Sequence, residues 1–153
     1  MKTSARSLVL GLAALLLPGL VRADAPTTQY KPYLSTNDEI VDLPTGFTWA
    51  RKVSPTGVEL PQVRCPIDGT SLPTVRELAT LIDNAPRKVL NASNQLVDLH
   101  IDQNAFPGTP PALFWTVSAT QDGRAFFVDF GTGEISLKPA LGTKAYVRCI
   151  KRA

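Results

Sequence analysis

Two residue types that often carry chemistry are scarce in this sequence of 153 residues, which has two cysteines and one histidine. The cysteines lie far apart in the chain, so there is no Cys-x-x-Cys pair of the redox type. There is also no G-x-S-x-G elbow, P-loop, Rossmann fingerprint or H-E-x-x-H motif. These absences remove the enzyme classes that such motifs identify, and we predict no catalytic residues.

Acidic residues are missing from the first 23 positions, which hold Lys2, Arg6 and Arg22. The whole chain has 16 lysines and arginines against 13 acids, a formal net charge of +3. Without those three residues the basic and acidic side chains balance. A neutral remainder argues against a protein dedicated to nucleic acid or another polyanion.

Long apolar runs are also missing, apart from Leu8–Leu20 near the N-terminus. As a helix this run would extend about 20 Å, which is short of the roughly 30 Å core of a bilayer. A basic start before it and Val21-Arg22-Ala23 after it complete the pattern of a secretory signal peptide. We predict that residues 1–23 are a signal peptide cleaved between Ala23 and Asp24. The mature protein is then exported, periplasmic or extracellular, with no transmembrane segment.

Export bears on the redox state of the two cysteines, Cys65 and Cys149. In an oxidising compartment the default state of two cysteines is a disulfide. The bridge would close a loop of about 85 residues, which the chain-entropy relation values at something over 4 kcal/mol. We therefore predict a structural bridge that ties the last strand to the middle of the chain.

Proline is abundant in the predicted mature part, where 12 of the 13 prolines lie. Such a composition is typical of a loop-rich domain. We predict that residues 24–40 form a polar N-terminal arm or an edge segment and that residues 41–153 form the domain. A first strand is predicted at 47–53. The main helix is predicted at about 74–85, because Thr74 and Glu77 fit a capping box.

The C-terminal third favours an antiparallel sheet. Short strands are predicted at 112–118, 124–130, 134–138 and 145–150, with turn residues between the first three. Residues 87–111 are predicted to be irregular. The order strand, loop, helix, loop, strands predicts an α+β domain. The basic group Arg148, Lys151 and Arg152 could form a basic patch, but we favour a solvated end of the chain.

Six short motifs follow one another through the predicted domain. They are Val41-Asp42 with Thr45-Gly46-Phe47-Thr48-Trp49, Leu72-Pro73-Thr74-Val75-Arg76-Glu77-Leu78, Ile101-Asp102 with Ala105-Phe106-Pro107-Gly108-Thr109, Phe114-Trp115-Thr116, Val128-Asp129-Phe130 with Gly133, and Val147-Arg148-Cys149-Ile150-Lys151. This series resembles the Lcl C-terminal domain family, a bacterial family of largely unassigned function, over about residues 40–152.

The resemblance implies a small C-type-lectin-like domain with long irregular loops, an antiparallel sheet and chain ends that lie close together. That fold serves many roles, so it does not supply a function. One departure stands out: members usually carry Trp-Arg before the Leu-Pro-Thr, and this chain has Thr70-Ser71. The change removes a core anchor or part of a contact surface.

Asp98, His100 and Asp102 are the one candidate metal set, since on a strand all three would project from one face. Against it, His100 is the only histidine, no fourth ligand is evident, and Asp102 is placed to cap a turn. We predict no metal and no cofactor. The Glu-Pro-Asn and Gln-Pro-Asp triplets of calcium-dependent lectins are also missing, so glycan binding would be calcium-independent.

Phe114 and Trp115 are candidate ligand contacts, because two adjacent aromatic rings could form a platform for a sugar or a peptide. An adjacent pair on a strand more often places one ring in the core and the other near the surface. We favour a place in the core.

The sequence therefore favours an exported, disulfide-stabilised, non-enzymatic binding or adhesion module. Its ligand would be a surface polysaccharide or an envelope protein. Two alternatives stay open: a small exported enzyme that uses loop carboxylates or His100, and an envelope accessory protein with a purely structural role.

Overall fold

The computed structural model describes residues 28–33 and 37–152. The predicted signal peptide, its cleavage site at Ala23 and Asp24, and the start of the N-terminal arm lie outside the described residues. Within the described part the fold is α+β, with mostly antiparallel sheets and one short α-helix.

The first sheet joins the two ends of the described chain. Its order is β1-β2-β3-β9, all antiparallel, with β1 at Tyr30–Pro32, β2 at Glu39–Asp42, β3 at Phe47–Ala50 and β9 at Ile150–Lys151. Trp49 of β3 lies opposite Ile40 on one side and Ile150 on the other, and all three are buried. This apolar row fixes the register, because a slip by one residue would turn the row to the opposite face.

The strand predicted at 47–53 is shorter than expected and ends at Ala50. The chain bends at Arg51 and Lys52. The Arg51 guanidinium donates to the carbonyl oxygens of Ala105 at 2.9 Å and Asn104 at 3.0 Å. These contacts hold the bend against a distant loop that the local sequence does not reveal.

The helix α1 begins as predicted. Thr74 Oγ1 accepts from the Glu77 amide at 3.3 Å, and Glu77 Oε2 accepts from the Thr74 amide at 2.7 Å, which is a capping box. Its predicted length is wrong, because α1 spans only Val75–Ala79. The amides of residues 80–82 bond to carbonyls three residues earlier, a tighter 3₁₀ pattern, and the next amide bonds to His100. The end of the helix is therefore set by its contact with a neighbouring segment.

Residues 87–111 are more regular than predicted, since they contain a two-stranded hairpin. Strands β4 (Arg87–Leu90) and β5 (Leu96–Leu99) pair antiparallel. Asn91 closes the turn, because its Oδ1 accepts from the amides of Ser93 and Gln95, each at 2.9 Å. The first strand lacks a clear alternation of apolar and polar residues, which is why the pattern did not predict it.

The C-terminal meander lies where the sequence predicts it. Its order is β6-β7-β8, with β6 at Leu113–Ala119, β7 at Arg124–Asp129 and β8 at Glu134–Pro139. The predicted strand at 145–150 is wrong in extent, since only β9 at its end forms a ladder. Ala145 and Tyr146 make isolated bridges to Val58 and Phe114. The partner changes along this segment, so no single ladder runs through it.

Both faces of the β6–β7 pair are buried around Phe114 and Trp115. Phe114 and Val128 lie opposite one another in a larger core, which also holds Trp49 and residues of α1 and β5. Trp115 and Phe127, the neighbouring pair, point into a smaller core. Successive strand residues face opposite sides, so the sheet lies between two cores.

Cys65 and Cys149 form the predicted disulfide. Their Cα atoms are 5.8 Å apart across 84 residues of sequence. Cys149 is buried in the smaller core, and Cys65 is half-buried in the proline-rich loop before α1. The bridge therefore fastens that loop to the segment leading into β9.

The prediction that Arg148 belongs to a solvated end is wrong, because its side chain is fully buried. Nη1 donates to the carbonyl oxygens of Ala50 at 2.5 Å and Arg51 at 2.9 Å, and Nη2 donates to Thr109 Oγ1 at 2.6 Å. The guanidinium carbon lies 4.6 Å from the centre of the Phe106 ring. Burial lowers the pKa of this group to about 9, so it is still positively charged at neutral pH.

Arg152, the next arginine along the chain, clamps the C-terminus to the start of α1. Nε and Nη2 donate to the two carboxylate oxygens of Glu77, each at 2.7 Å, and Nη1 donates to Ser71 Oγ at 2.7 Å. Only 15% of the Glu77 side chain is exposed. The hydrogen bonds from Arg152 lower the pKa of Glu77 to about 2, assisted by the Thr74 amide and opposed by desolvation.

Replacing Glu77 with glutamine is expected to lower the free energy of unfolding by about 1–2 kcal/mol at pH 7, because the charged pair between the mostly buried Glu77 carboxylate and the partly exposed Arg152 guanidinium is lost. The usual pKa of 4.5 lies above the folded value, so the Glu77 charge stabilises the fold above about pH 4.5. That contribution falls away between pH 4.5 and pH 2. Urea titrations of both proteins at pH 7, 4.5 and 3 should therefore converge as the pH falls. A difference that is constant across this range would contradict the assignment.

Candidate functional site

The aromatic pair predicted as a ligand contact is fully buried. Phe114 and Trp115 both have 0% exposed surface. Phe114 packs against Phe130, and the Trp115 ring nitrogen donates to the Val58 carbonyl oxygen at 2.8 Å. Neither ring is available to a ligand at the surface, so both serve the two cores.

The three candidate metal ligands are engaged separately. Asp98 pairs with Lys88 at 2.9 Å, across the β4–β5 hairpin. His100 Nδ1 lies 3.1 Å from the Asp83 carbonyl oxygen, and Asp102 Oδ1 accepts from the Asn104 amide at 2.8 Å, which caps a turn. Within the described residues, no group of three or more histidine, cysteine, aspartate or glutamate side chains is placed to hold a metal ion.

His100 also packs against a turn whose shape depends on glycine. Gly133, between β7 and β8, has a φ of +72°, and a Cβ added there would lie 2.7 Å from His100 Nδ1. The imidazole is therefore enclosed by backbone on two sides. This position gives His100 a packing role.

A cleft of about 540 Å³ lies beside the disulfide. Its floor and walls are mainly apolar and include Cys149. The other apolar residues that line it are Ala50, Val53, Pro55, Pro66, Ile67 and Val147. This size is in the range of small-ligand and side-chain pockets.

Three segments build the cleft. The end of β3 and the bend after it supply one wall, and the disulfide loop that carries Pro66 and Ile67 supplies the other. The floor comes from Val147 and Cys149, while Arg148 between them points to the opposite side into the larger core. This alternation is that of an extended chain. The buried Arg148 thus holds the floor segment in place from behind.

The rim of the cleft carries charges of both signs. Asp38 and Lys52, on the β3 side, form an ion pair of 2.6 Å, with 54% and 81% of their side chains exposed. Exposed pairs of this kind contribute at most about 1 kcal/mol and open readily. Glu39 lies on the same wall, and Arg64 lies on the disulfide loop.

The model of the Lcl C-terminal domain family matches residues 38–151 of this chain. The chain belongs to that family. No curated protein and no solved structure gave a significant match. Every residue that lines the cleft lies inside the matched range, so the cleft lies within the Lcl C-terminal domain of this chain.

Thr70 and Ser71, the predicted departure from the family pattern, lie next to the Arg152 clamp. The Ser71 backbone pairs with Ile150 of β9, and its hydroxyl accepts from Arg152. Neither residue lines the cleft. The departure therefore bears on how the Lcl C-terminal domain is closed at its C-terminus.

Sequence reasoning missed the cleft because its lining is distributed over residues 38–149. One signal was present: two of the lining prolines, Pro55 and Pro66, lie in the loop that the disulfide fastens down. A rigid proline-rich loop held against a sheet is a natural wall for a pocket.

In the described part of this Lcl C-terminal domain, no helix is long and apolar enough to cross a membrane.

Proposed function

We propose that this protein is an exported, disulfide-stabilised binding module and that its ligand site is the cleft beside the disulfide. The observation that carries the proposal is an apolar cleft of about 540 Å³ with a charged rim, which the disulfide loop encloses on one side. A preformed apolar cavity with a few polar groups at its edge is the usual form of a binding site. The ligand would be an envelope protein or a surface polysaccharide, bound without calcium.

The role we propose is binding without catalysis. The sequence offered His100 as a catalytic candidate, and that ring is packed against Gly133 and the Asp83 carbonyl. The cleft is lined mainly by aliphatic side chains and prolines, which retain apolar groups but transfer no protons.

Export is supported by the signal-peptide pattern and by the disulfide, since such bridges persist in oxidising compartments. We also propose the C-type-lectin-like topology that family membership suggests. It is supported by the first sheet, in which the N-terminal strands and the last strand lie side by side. An experimental structure with a traced topology would test it.

The proposal is tested by placing a charge in the cleft. Pro66 is an exposed residue of one wall, so Pro66→Glu should leave the fold intact. We expect it to weaken saturable binding to envelope fractions or surface polysaccharide by tenfold or more, because an apolar ligand group in the cleft would strip water from the new carboxylate.

Leu141→Glu is the matched control, since Leu141 is 82% exposed and lies outside the cleft. It introduces the same charge and should leave the affinity unchanged. If Pro66→Glu and the unaltered protein bind every saturable ligand with equal affinity, the binding site lies outside the cleft.

A further inference from the structure

We infer that the cleft receives an extended protein segment, in which an aliphatic side chain stands between one basic and one acidic residue. The inference rests on the proposed function, because it names the ligand of the same cleft.

The lining favours an aliphatic side chain over a sugar ring. The side chains of the cleft floor offer few polar partners, and the Ser54 hydroxyl is already used: it donates to the Thr56 carbonyl oxygen and accepts from the Val147 amide, each at 3.0 Å. Sugar hydroxyls that enter this space would give up hydrogen bonds to water without replacing them. An aliphatic side chain gives up none and gains apolar burial.

The lining also lacks aromatic rings, on which the apolar face of a sugar can stack. None of the residues that line the described cleft is aromatic, and both tryptophans, Trp49 and Trp115, are buried in the cores. The cleft therefore has no ring on which a sugar face could stack.

The rim is dipolar, which suits a segment with both charges. On the β3 wall, Asp38 and Lys52 neutralise each other and Glu39 leaves an excess negative charge. On the disulfide loop, Arg64 donates to its own neighbour, the Val63 carbonyl oxygen at 2.7 Å, and it forms no ion pair with a described residue. A basic residue of the partner would face Glu39, and an acidic one would face Arg64.

The test uses blocked pentapeptides titrated into the oxidised, isotope-labelled mature protein, with amide shifts of Val53, Ile67 and Val147 as the readout. One peptide has leucine at its centre between lysine and glutamate. A second has leucine between two glutamines, and a third has glycine between lysine and glutamate. A neutral glucose hexasaccharide is the fourth probe.

We expect the first peptide to bind about 3–10-fold more tightly than the second at low salt, since rim charges add modestly to affinity. The third peptide and the hexasaccharide should shift none of these amides.

The charge assignment is tested by Arg64→Glu, with Lys138→Glu as the matched control on the exposed face of β8. Both variants change the net charge equally. Leucine between two lysines is a fifth probe, which the unaltered protein should bind less tightly than leucine between lysine and glutamate. Arg64→Glu should reverse this preference. The control should keep the original preference.

The outcomes separate the two proposals. If both leucine peptides bind the cleft equally and Arg64→Glu changes no preference, the charged segment is wrong and the apolar binding site stands. If only the hexasaccharide shifts the cleft amides, the ligand is a glycan and the inference is overturned. If no probe shifts them, the binding site itself is in the wrong place.

Discussion

Replacing Cys65 and Cys149 together with alanine is expected to lower the free energy of unfolding by about 4 kcal/mol or more. The bridge closes a loop of 84 residues, and without it the unfolded chain regains the entropy of that loop. A second loss comes from Cys149, which is 2% exposed and packs in the smaller core, so its truncation leaves a small void. For a domain of this size such a loss is a large part of the total stability.

Chemical denaturation of the oxidised protein, the reduced protein and the double variant measures the effect. Reduction removes the crosslink and keeps both sulfur atoms, so it reports the loop entropy alone. The double variant adds the packing loss and should be the least stable of the three. A double variant as stable as the oxidised protein would mean that the bridge contributes only strain or that the unfolded chain is already restrained.

Replacing Arg148 with alanine is expected to cost about 3–5 kcal/mol, although the residue is charged and lies four positions from the C-terminal end of the described chain. The guanidinium satisfies the carbonyls of Ala50 and Arg51 and the hydroxyl of Thr109, and it packs against the Phe106 ring. Alanine would leave those acceptors without a donor and open a cavity between β3 and the loop after residue 104.

Thermal and urea unfolding of three variants test this prediction. Arg148→Lys keeps the charge but loses the planar fork, so an intermediate loss is expected. Arg124→Ala is the control, because Arg124 pairs with Asp122 on the surface and both side chains are about half exposed. Its loss should stay below about 1 kcal/mol. If Arg148→Ala also loses less than about 1 kcal/mol of unfolding free energy, the free energy gained from the buried contacts is cancelled by the cost of burying the charge.

Because Arg148 holds the floor of the cleft from behind, the loss of its contacts should also disturb the Val147 and Cys149 side of the site. Stability and ligand affinity are therefore expected to fall together in Arg148→Ala. In Pro66→Glu, by contrast, only the affinity should fall. This difference separates the residues that build the cleft from those that face its contents.

The elements that the sequence predicted well are those set by near neighbours. The capping box of α1 needs only Thr74 and Glu77, three residues apart, and it is present. The β6–β8 meander depends on short turns between alternating strands, and its bounds fall close to those predicted. The elements that were predicted badly end or begin at distant contacts. The helix gives way after Ala79 to a tighter turn, at the end of which the Asp83 amide donates to the His100 carbonyl oxygen, and β3 stops where Arg51 reaches Asn104 and Ala105.

The sequence by itself determined the α+β composition, the start of the helix and the disulfide, because each follows from local spacing or from the presence of just two cysteines. The family followed from the resemblance of six ordered motifs. Only the tertiary structure decided the candidate site. It buried Phe114 and Trp115 on opposite faces of one strand, and it turned Arg148 from a surface charge into an internal donor. It also assembled a cleft from segments more than 100 residues apart. Which side chains meet across such distances depends on how the sheets pack, and that arrangement leaves no periodic trace in the sequence.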